Sequence, residues 1–136
     1  MTVMFAIAVR IYYEDTDAGG IVYYANYLRF MERARTEWLR RVGFEINELT
    51  EHQGVLLAVR SLQVEYLKPA KLNDLLQVGV ELEHCGRASI RLIQQMHRDA
   101  EWMCQARVRL ACLDAASLSP VRLPLPLLTE LSAWMG

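Results

Sequence analysis

Little in this sequence points to covalent, metallic or membrane reinforcement. It holds only three cysteines, Cys85, Cys104 and Cys112, an odd number with no CxxC spacing. That argues against a disulfide framework and for a reducing, cytoplasmic setting. There is no P-loop and no GxGxxG run, so no dedicated phosphate motif is present. No fixed-period repeat or low-complexity segment is visible. Charge of one sign is also missing. Lys and Arg total 15, Asp and Glu total 16, and the formal net charge is -1. A chain so balanced has no global pull toward nucleic acid or an anionic membrane. The N-terminal apolar run, Val3 to Val9, is far shorter than the roughly 20 residues that span a bilayer. It has no basic region before it and no small-residue cleavage site after it, so we read it as a buried strand and expect no transmembrane segment.

What is present is enough apolar material for one core. The 136 residues are 53% hydrophobic and 23% charged, which excludes a disordered chain. That length suits a single domain, taken as residues 1–136 with an apolar, proline-containing tail from about 117 to 136. Residues 3–13 read as a strand. From Asn26 to Val42 the apolar residues Tyr27, Phe30, Met31, Ala34, Trp38, Leu39 and Val42 recur at three- and four-residue steps, which predicts one long helix stopped by Gly43. Its charged residues, Arg35 among them, read as a solvated face. Residues 45–52 have some helical character. Four strands follow: Val55 to Leu67, Leu76 to Leu82, one with Ala88, Ile90, Leu92, Gln94 and Met96 on one face, and one with Trp102, Cys104, Ala106, Val108, Leu110 and Cys112 on one face. The predicted class is α+β, a helix against one antiparallel sheet. Residues such as Val55 to Val59 are apolar on both faces, which predicts a homodimer at least.

The segment that departs from core and turn logic runs from Tyr12 to Tyr27 and contains Asp15, Asp17, Gly19 and Gly20 ahead of the long helix. Glycines admit another molecule close to the backbone. A helix start offers outward N–H groups that can stabilise an oxyanion, and a nearby carboxylate can act as base or nucleophile. Two blander readings stand beside this: Asp15 and Asp17 as turn formers or caps, and the pair as a divalent cation site. His52, His84 and His97 are isolated, and solvent exposure accounts for them. Cys85 beside His84 makes no nucleophile pair, since neighbours on a strand face opposite ways.

The stretch Arg10-Ile11-Tyr12-Tyr13-Glu14-Asp15-Thr16-Asp17-Ala18-Gly19-Gly20-Ile21-Val22-Tyr23, continued by Ala25 to Leu39 and by Val64-Glu65-Tyr66-Leu67-Lys68-Pro69-Ala70 and Asp74, closely resembles the YbgC-type acyl-CoA thioesterases. These belong to the hotdog-fold superfamily that includes 4-hydroxybenzoyl-CoA thioesterase. The resemblance implies a hotdog fold, with a long helix wrapped by a five-stranded antiparallel sheet, and hydrolysis of acyl-CoA without metal or redox cofactor. It implies Asp17 as the catalytic carboxylate, base or nucleophile, and a backbone amide near Tyr24 as the carbonyl-polarising donor. Tyr13 matches a tyrosine near the site, though a packed strand residue is an equal reading. Gly19, Gly20, Ile21 and Val22 would shape the substrate approach. Among basic residues, Arg60, Lys68, Arg87 and Arg91 are candidates for CoA phosphates, with Arg60 and Arg87 first. YbgC-type members usually carry His where this chain has Tyr24, so a His-assisted mechanism does not carry over. The phenol, with a pKa near ~10, is a poor base at neutral pH.

The resemblance also implies active sites at a subunit interface, in a homodimer or homotetramer. An acyl-carrier protein is a possible partner, and nucleic acid is not expected. Two other readings stand beside it. One is a hotdog dehydratase, which the missing His at the helix start disfavours. The other is a Tol-Pal-associated interaction protein acting with acyl-carrier or phospholipid-synthesis partners through the tail.

Overall fold

The computed structural model describes residues 4–135, so Val3, the first residue of the expected N-terminal strand, and Gly136 lie outside the described residues. Five strands form one sheet: β1 (Met4–Arg10), β2 (Val55–Tyr66), β3 (Leu75–Cys85), β4 (Ser89–Arg98) and β5 (Glu101–Asp114). Their order is β1-β3-β4-β5-β2, and every neighbouring pair is antiparallel. Three helices accompany them: α1 (Asn26–Val42), α2 (Ile46–Gln53) and α3 (Leu125–Ser132). This is the hotdog arrangement, a long helix laid against one face of an antiparallel sheet.

The seven residues at helical spacing are the seven that α1 buries. They meet the inner faces of β3, β4 and β5, where Val78, Val80, Leu82, Leu92, Met96, Ala106 and Val108 are buried. Gly43, at φ 120°, ends α1, and its N–H donates to the Leu39 and Arg40 carbonyls. At the other end no side chain caps the helix and no acid stands in its first turn. That matters for the site, because the end carries partial positive charge.

Several expectations shift by local geometry. The first strand stops at Arg10, and Tyr13 lies in a 3-10 turn, 82% exposed, so it is not a packed strand residue. β1 is an edge strand on which only Val9 is fully buried. Trp102 does not share the buried face of β5. The register shift between Met96 and His97 makes Met103 an extra residue, buried beside Cys104, and turns Trp102 outward. There it meets His97 edge-on, so His97 is half-buried rather than exposed.

The run Val55 to Ala58 is covered by α2, and the apolar surface left open lies further along β2, at Val59, Leu62 and Tyr66. The tail folds back on its own domain: Leu123, Leu127 and Leu131 are buried, and Trp134 meets Trp38 at 6.1 Å. Among the described residues no helix is long and apolar enough to cross a membrane.

A second bulge governs β2. Val59 pairs with Leu110 and Ser61 with Arg109, so Arg60 is the extra residue. Below it Leu57 and Val59 face buried Cys112 and Leu110, and above it Leu62, Val64 and Tyr66 face buried Val108, Ala106 and Cys104. The bulge therefore changes the phase of the strand and keeps one apolar row on one face.

Candidate active site

Residues 12–24 fold into two linked turns, and the two aspartates take different parts in them. Asp15 is structural. Its Oδ2 accepts the Tyr12 N–H at 2.8 Å, and its carbonyl accepts the Tyr23 N–H at 3.0 Å and Asn26 Nδ2 at 2.9 Å. It thus ties the turn to the first residue of α1.

Asp17 sits at the tip of a small ladder. Thr16 pairs with Val22, the Asp17 N–H donates to the Ile21 carbonyl at 2.9 Å, and the Gly20 N–H donates to the Asp17 carbonyl at 3.0 Å. Gly20 has φ 80°, a conformation that side chains resist. The Gly19 N–H donates to Asp17 Oδ1 at 2.8 Å, so one carboxylate oxygen is fixed. Asp17 is exposed, and among the described residues its Oδ2 makes no hydrogen bond. The turn-forming reading is therefore right for Asp15 and only partly describes Asp17. Among the described residues no three His, Cys, Asp or Glu gather as a metal cluster.

The chain then reaches the open end of α1 through Tyr23, Tyr24 and Ala25. Among the described residues the Tyr24 N–H donates no hydrogen bond within the chain. Its carbonyl accepts the Tyr66 hydroxyl at 3.1 Å. Tyr66 stacks edge-on with Tyr24 at 6.3 Å and with Tyr27 at 5.3 Å, and Tyr23 lies 4.8 Å from Tyr24. The hydrogen bond with Tyr24 raises the Tyr23 pKa, and burial raises those of Tyr27 and Tyr66. These three phenols stay protonated at neutral pH and are not bases there.

A loop from β2 to β3 closes the other side. The Val22 N–H donates to the Ala70 carbonyl at 2.9 Å, Ile21 pairs with Lys71, and the Ala70 N–H donates to the Tyr27 hydroxyl at 3.0 Å. This loop is braced by charge. Lys68 meets Glu101 at 2.7 Å, Glu101 meets Arg98 at 3.1 Å, and Arg98 meets Asp74 at 2.7 Å. Burial opposes ionisation of Asp74. The Lys71 N–H at 2.8 Å and the Arg98 guanidinium outweigh it and hold the carboxyl below its usual range.

The structure brings several expected residues together. Ile21, Val22, Tyr24 and Lys68 line one cavity of about 210 Å³. Asp17, Gly19 and Gly20 are not among its lining residues; Asp17 is linked to it through the hydrogen bond of its N–H to the Ile21 carbonyl. Tyr27, Tyr66, Leu67 and Pro69 complete the lining, and none of these four stood among the expected site residues. The signal for Tyr66, Leu67 and Pro69 was the segment from Val64 to Ala70, and Tyr27 closes the segment that starts at Tyr12.

The basic residues do not converge within one chain. Lys68 is engaged by Glu101, and Arg91 lies 3.8 Å from Glu83. Arg60 is the bulge residue in mid-strand. Arg87 lies on the β3–β4 turn beside Leu123, at the far end of β5 from Lys68, roughly 30 Å away at the strand rise.

Comparison with known proteins places this arrangement. The profile of the thioesterase-like superfamily matches residues 11–135. The chain is 44% identical over 120 residues to the acyl-CoA thioesterase YbgC of Haemophilus influenzae, covering 88% of each protein. It is 38% identical over 130 residues to the acyl-CoA thioester hydrolase YbgC of Escherichia coli, covering 95% of this chain and 96% of that one. Among solved structures, a probable thioesterase from Bartonella henselae superposes with a TM-score of 0.86 at 30% identity, covering 90% of this chain and 100% of that one.

Proposed function

This chain belongs to the thioesterase-like superfamily, with YbgC acyl-CoA thioesterases among its relatives, and we propose that it hydrolyses acyl-CoA thioesters with Asp17 as the working carboxylate. One observation carries the reading. An exposed carboxylate with one free oxygen lies on the short ladder that leads, through Ile21 to Tyr23, into the Tyr24 peptide, whose N–H no acceptor in the described chain engages.

The chemistry follows from charge development. Attack on the thioester carbon places negative charge on its oxygen. The Tyr24 N–H, at the uncapped positive end of α1, can meet that oxygen. A donor of this kind is worth ~100–1,000-fold in rate. Asp17 acts in one of two balanced ways. As a base it takes a proton from water, the water oxygen bonds to the acyl carbon, and the C–S bond breaks to release the thiolate of CoA. As a nucleophile its oxygen bonds to the acyl carbon, the thiolate leaves, and water then cleaves the mixed anhydride. The thiolate takes up a proton in either case.

A second copy of the chain completes the site in this reading. The upper half of β2 is an unpaired sheet edge that exposes Leu62 and Tyr66. Such an edge is normally covered, and a second β2 covers it in a homodimer, with a homotetramer as the next level. Arg60 and Arg87, which lie far from Lys68 in one chain, then serve as CoA-phosphate contacts from the second copy. An acyl-carrier protein is an alternative thioester donor, and a cytoplasmic setting suits the cysteine pattern. No observation favours the Tol-Pal interaction reading or the dehydratase reading.

The test is thiol release from a panel of short, long and aromatic acyl-CoAs, with Asp17→Asn beside the wild type. We expect turnover on at least one class and a loss of ~100–10,000-fold in kcat for the variant at unchanged Tm. A fully active variant would move the catalytic group elsewhere.

A further inference from the structure

A second cavity, of about 220 Å³, opens between α1, α2 and the lower half of β2. Its walls are mainly apolar, with Leu39, Leu49, Leu57, Val59 and Leu110 among them, yet Glu32, Arg35 and Thr36 also line it. That arginine was expected on a solvated helix face and is instead half-buried. Among the described residues no carboxylate lies within ion-pair distance of it. Its one hydrogen bond runs from Nη1 to Oε1 of Gln94 at 2.9 Å. Gln94 is fully buried and anchored in turn by donating to the Met31 carbonyl at 3.0 Å. A guanidinium has five donors, and a buried polar group without partners is costly. Burial lowers the Arg35 pKa, with the field of Glu32 opposing that effect.

The two cavities border the same seam between α1 and β2. Tyr27 and Tyr66 stand at one end, Arg35 and Leu57 at the other. The apolar row rephased by the Arg60 bulge runs along β2 from Tyr66, which lines the first cavity, through Val64 and Leu62 to Val59, which lines the second. From Asn26 to Arg35 the axis of α1 advances about 14 Å. That span suits an extended acyl chain starting at the thioester.

We propose that this seam holds the acyl tail of the substrate and that Arg35 selects tails carrying an acceptor oxygen, hydroxyl or carboxylate, at the far end. The inference rests on the thioesterase reading and deepens it. A plain alkyl end gives the guanidinium nothing, whereas an oxygen supplies the missing acceptor in a site of low dielectric. The apolar row explains why the rest of the tail should be hydrocarbon.

The experiment compares acyl-CoAs of equal length ending in methyl, hydroxyl or carboxylate, in the wild type, Arg35→Met and Arg35→Lys. We expect Arg35→Met to lower the ratio of kcat/KM for oxygen-ended over methyl-ended substrates by about tenfold or more, through KM, with partial recovery in Arg35→Lys. The hydroxyl and carboxylate arms tell which oxygen is preferred. An unchanged ratio, whether both rates fall together or neither does, overturns the proposal. It would leave Arg35 as a structural tie to Gln94 and the apolar row to a second copy. If the wild type hydrolyses no member, the hydrolase reading fails by itself. Calorimetric binding of the matching free acids then decides the role of Arg35. Tighter binding of the oxygen-ended acids that Arg35→Met abolishes supports it, and equal binding overturns it.

Discussion

The Tyr66 hydroxyl donates a 3.1 Å hydrogen bond to the Tyr24 carbonyl, tying the last residue of β2 to the peptide just ahead of α1. The two residues are far apart in sequence, and the bond sets the orientation of a peptide next to the one whose N–H we assign to the thioester carbonyl. Tyr66→Phe removes this bond and keeps the ring. One partly exposed hydrogen bond is worth ~1 kcal/mol, so Tm should change little. kcat should fall several-fold with KM nearly constant. An unaltered kcat would show that the Tyr24 peptide is held by the backbone alone.

The glycines of the Asp17 turn should fail in different ways. A Cβ on Gly19 would meet Asp17 Oδ1 at 3.2 Å, close enough to displace the carboxylate. Gly19→Ala is therefore expected to cost activity more than stability. At Gly20 a Cβ would meet nothing, but φ is +80°. Gly20→Ala should cost roughly 1–2 kcal/mol of stability through backbone strain. Denaturant melts and steady-state rates on the two variants separate the effects.

Acid stability should depend on the Arg98–Asp74 pair. An aspartate held below its unfolded pKa, near ~3.9, stabilises the fold above that pH and loses the contribution as pH falls through its lower native value. Asp74 is in this position. Its pair with Arg98 is mostly shielded, with side-chain exposures of 17% and 22%. Arg98→Met should lower stability at neutral pH, where Asp74 is ionised. The gap to the wild type should narrow below the ordinary aspartate range. Melting curves at pH 7 and pH 3 check the sign.

Deleting a residue from β2 should cost least at the bulge. Removing Arg60 removes the bulge and leaves Val59, Leu62, Val64 and Tyr66 on one face, so Tm should drop only slightly. Removing Gln63 also closes the bulge and keeps Val64 and Tyr66 opposite Ala106 and Cys104, but it puts Ser61 opposite buried Val108 and turns Leu62 to the other face. That deletion should lower Tm more than removal of Arg60. Circular dichroism and melting of the two deletions test the phase argument directly.

Much of the fold was legible because burial imposes periods on sequence. The three- and four-residue spacing from Tyr27 to Val42 marked all of α1, and alternation marked β3 to β5. The exceptions share a cause. Trp102 and Arg60 depart from alternation because a bulge adds one residue to one strand of a pair. Whether a strand bulges depends on its neighbour, which a single segment does not display. Arg35 misled for a related reason. Its helical position suits a solvated charge, and only the approach of Gln94 from β4 draws it inward.

The sequence by itself determined the local chemistry: a turn of aspartates and glycines, a helix that follows it, and the resemblance that singles out Asp17. These are short-range features, fixed by backbone conformation and side-chain type within a few residues. Local turn hydrogen bonds fix one oxygen of each aspartate, Asp15 through Tyr12 and Asp17 through Gly19, and Asp17 is the more exposed of the two. Tertiary structure brought Tyr66 and the braced loop of Ala70 and Asp74 against the helix start, and it left Arg87 at the far end of the sheet. Those outcomes depend on strand order and register, which arise from packing between segments distant in the chain.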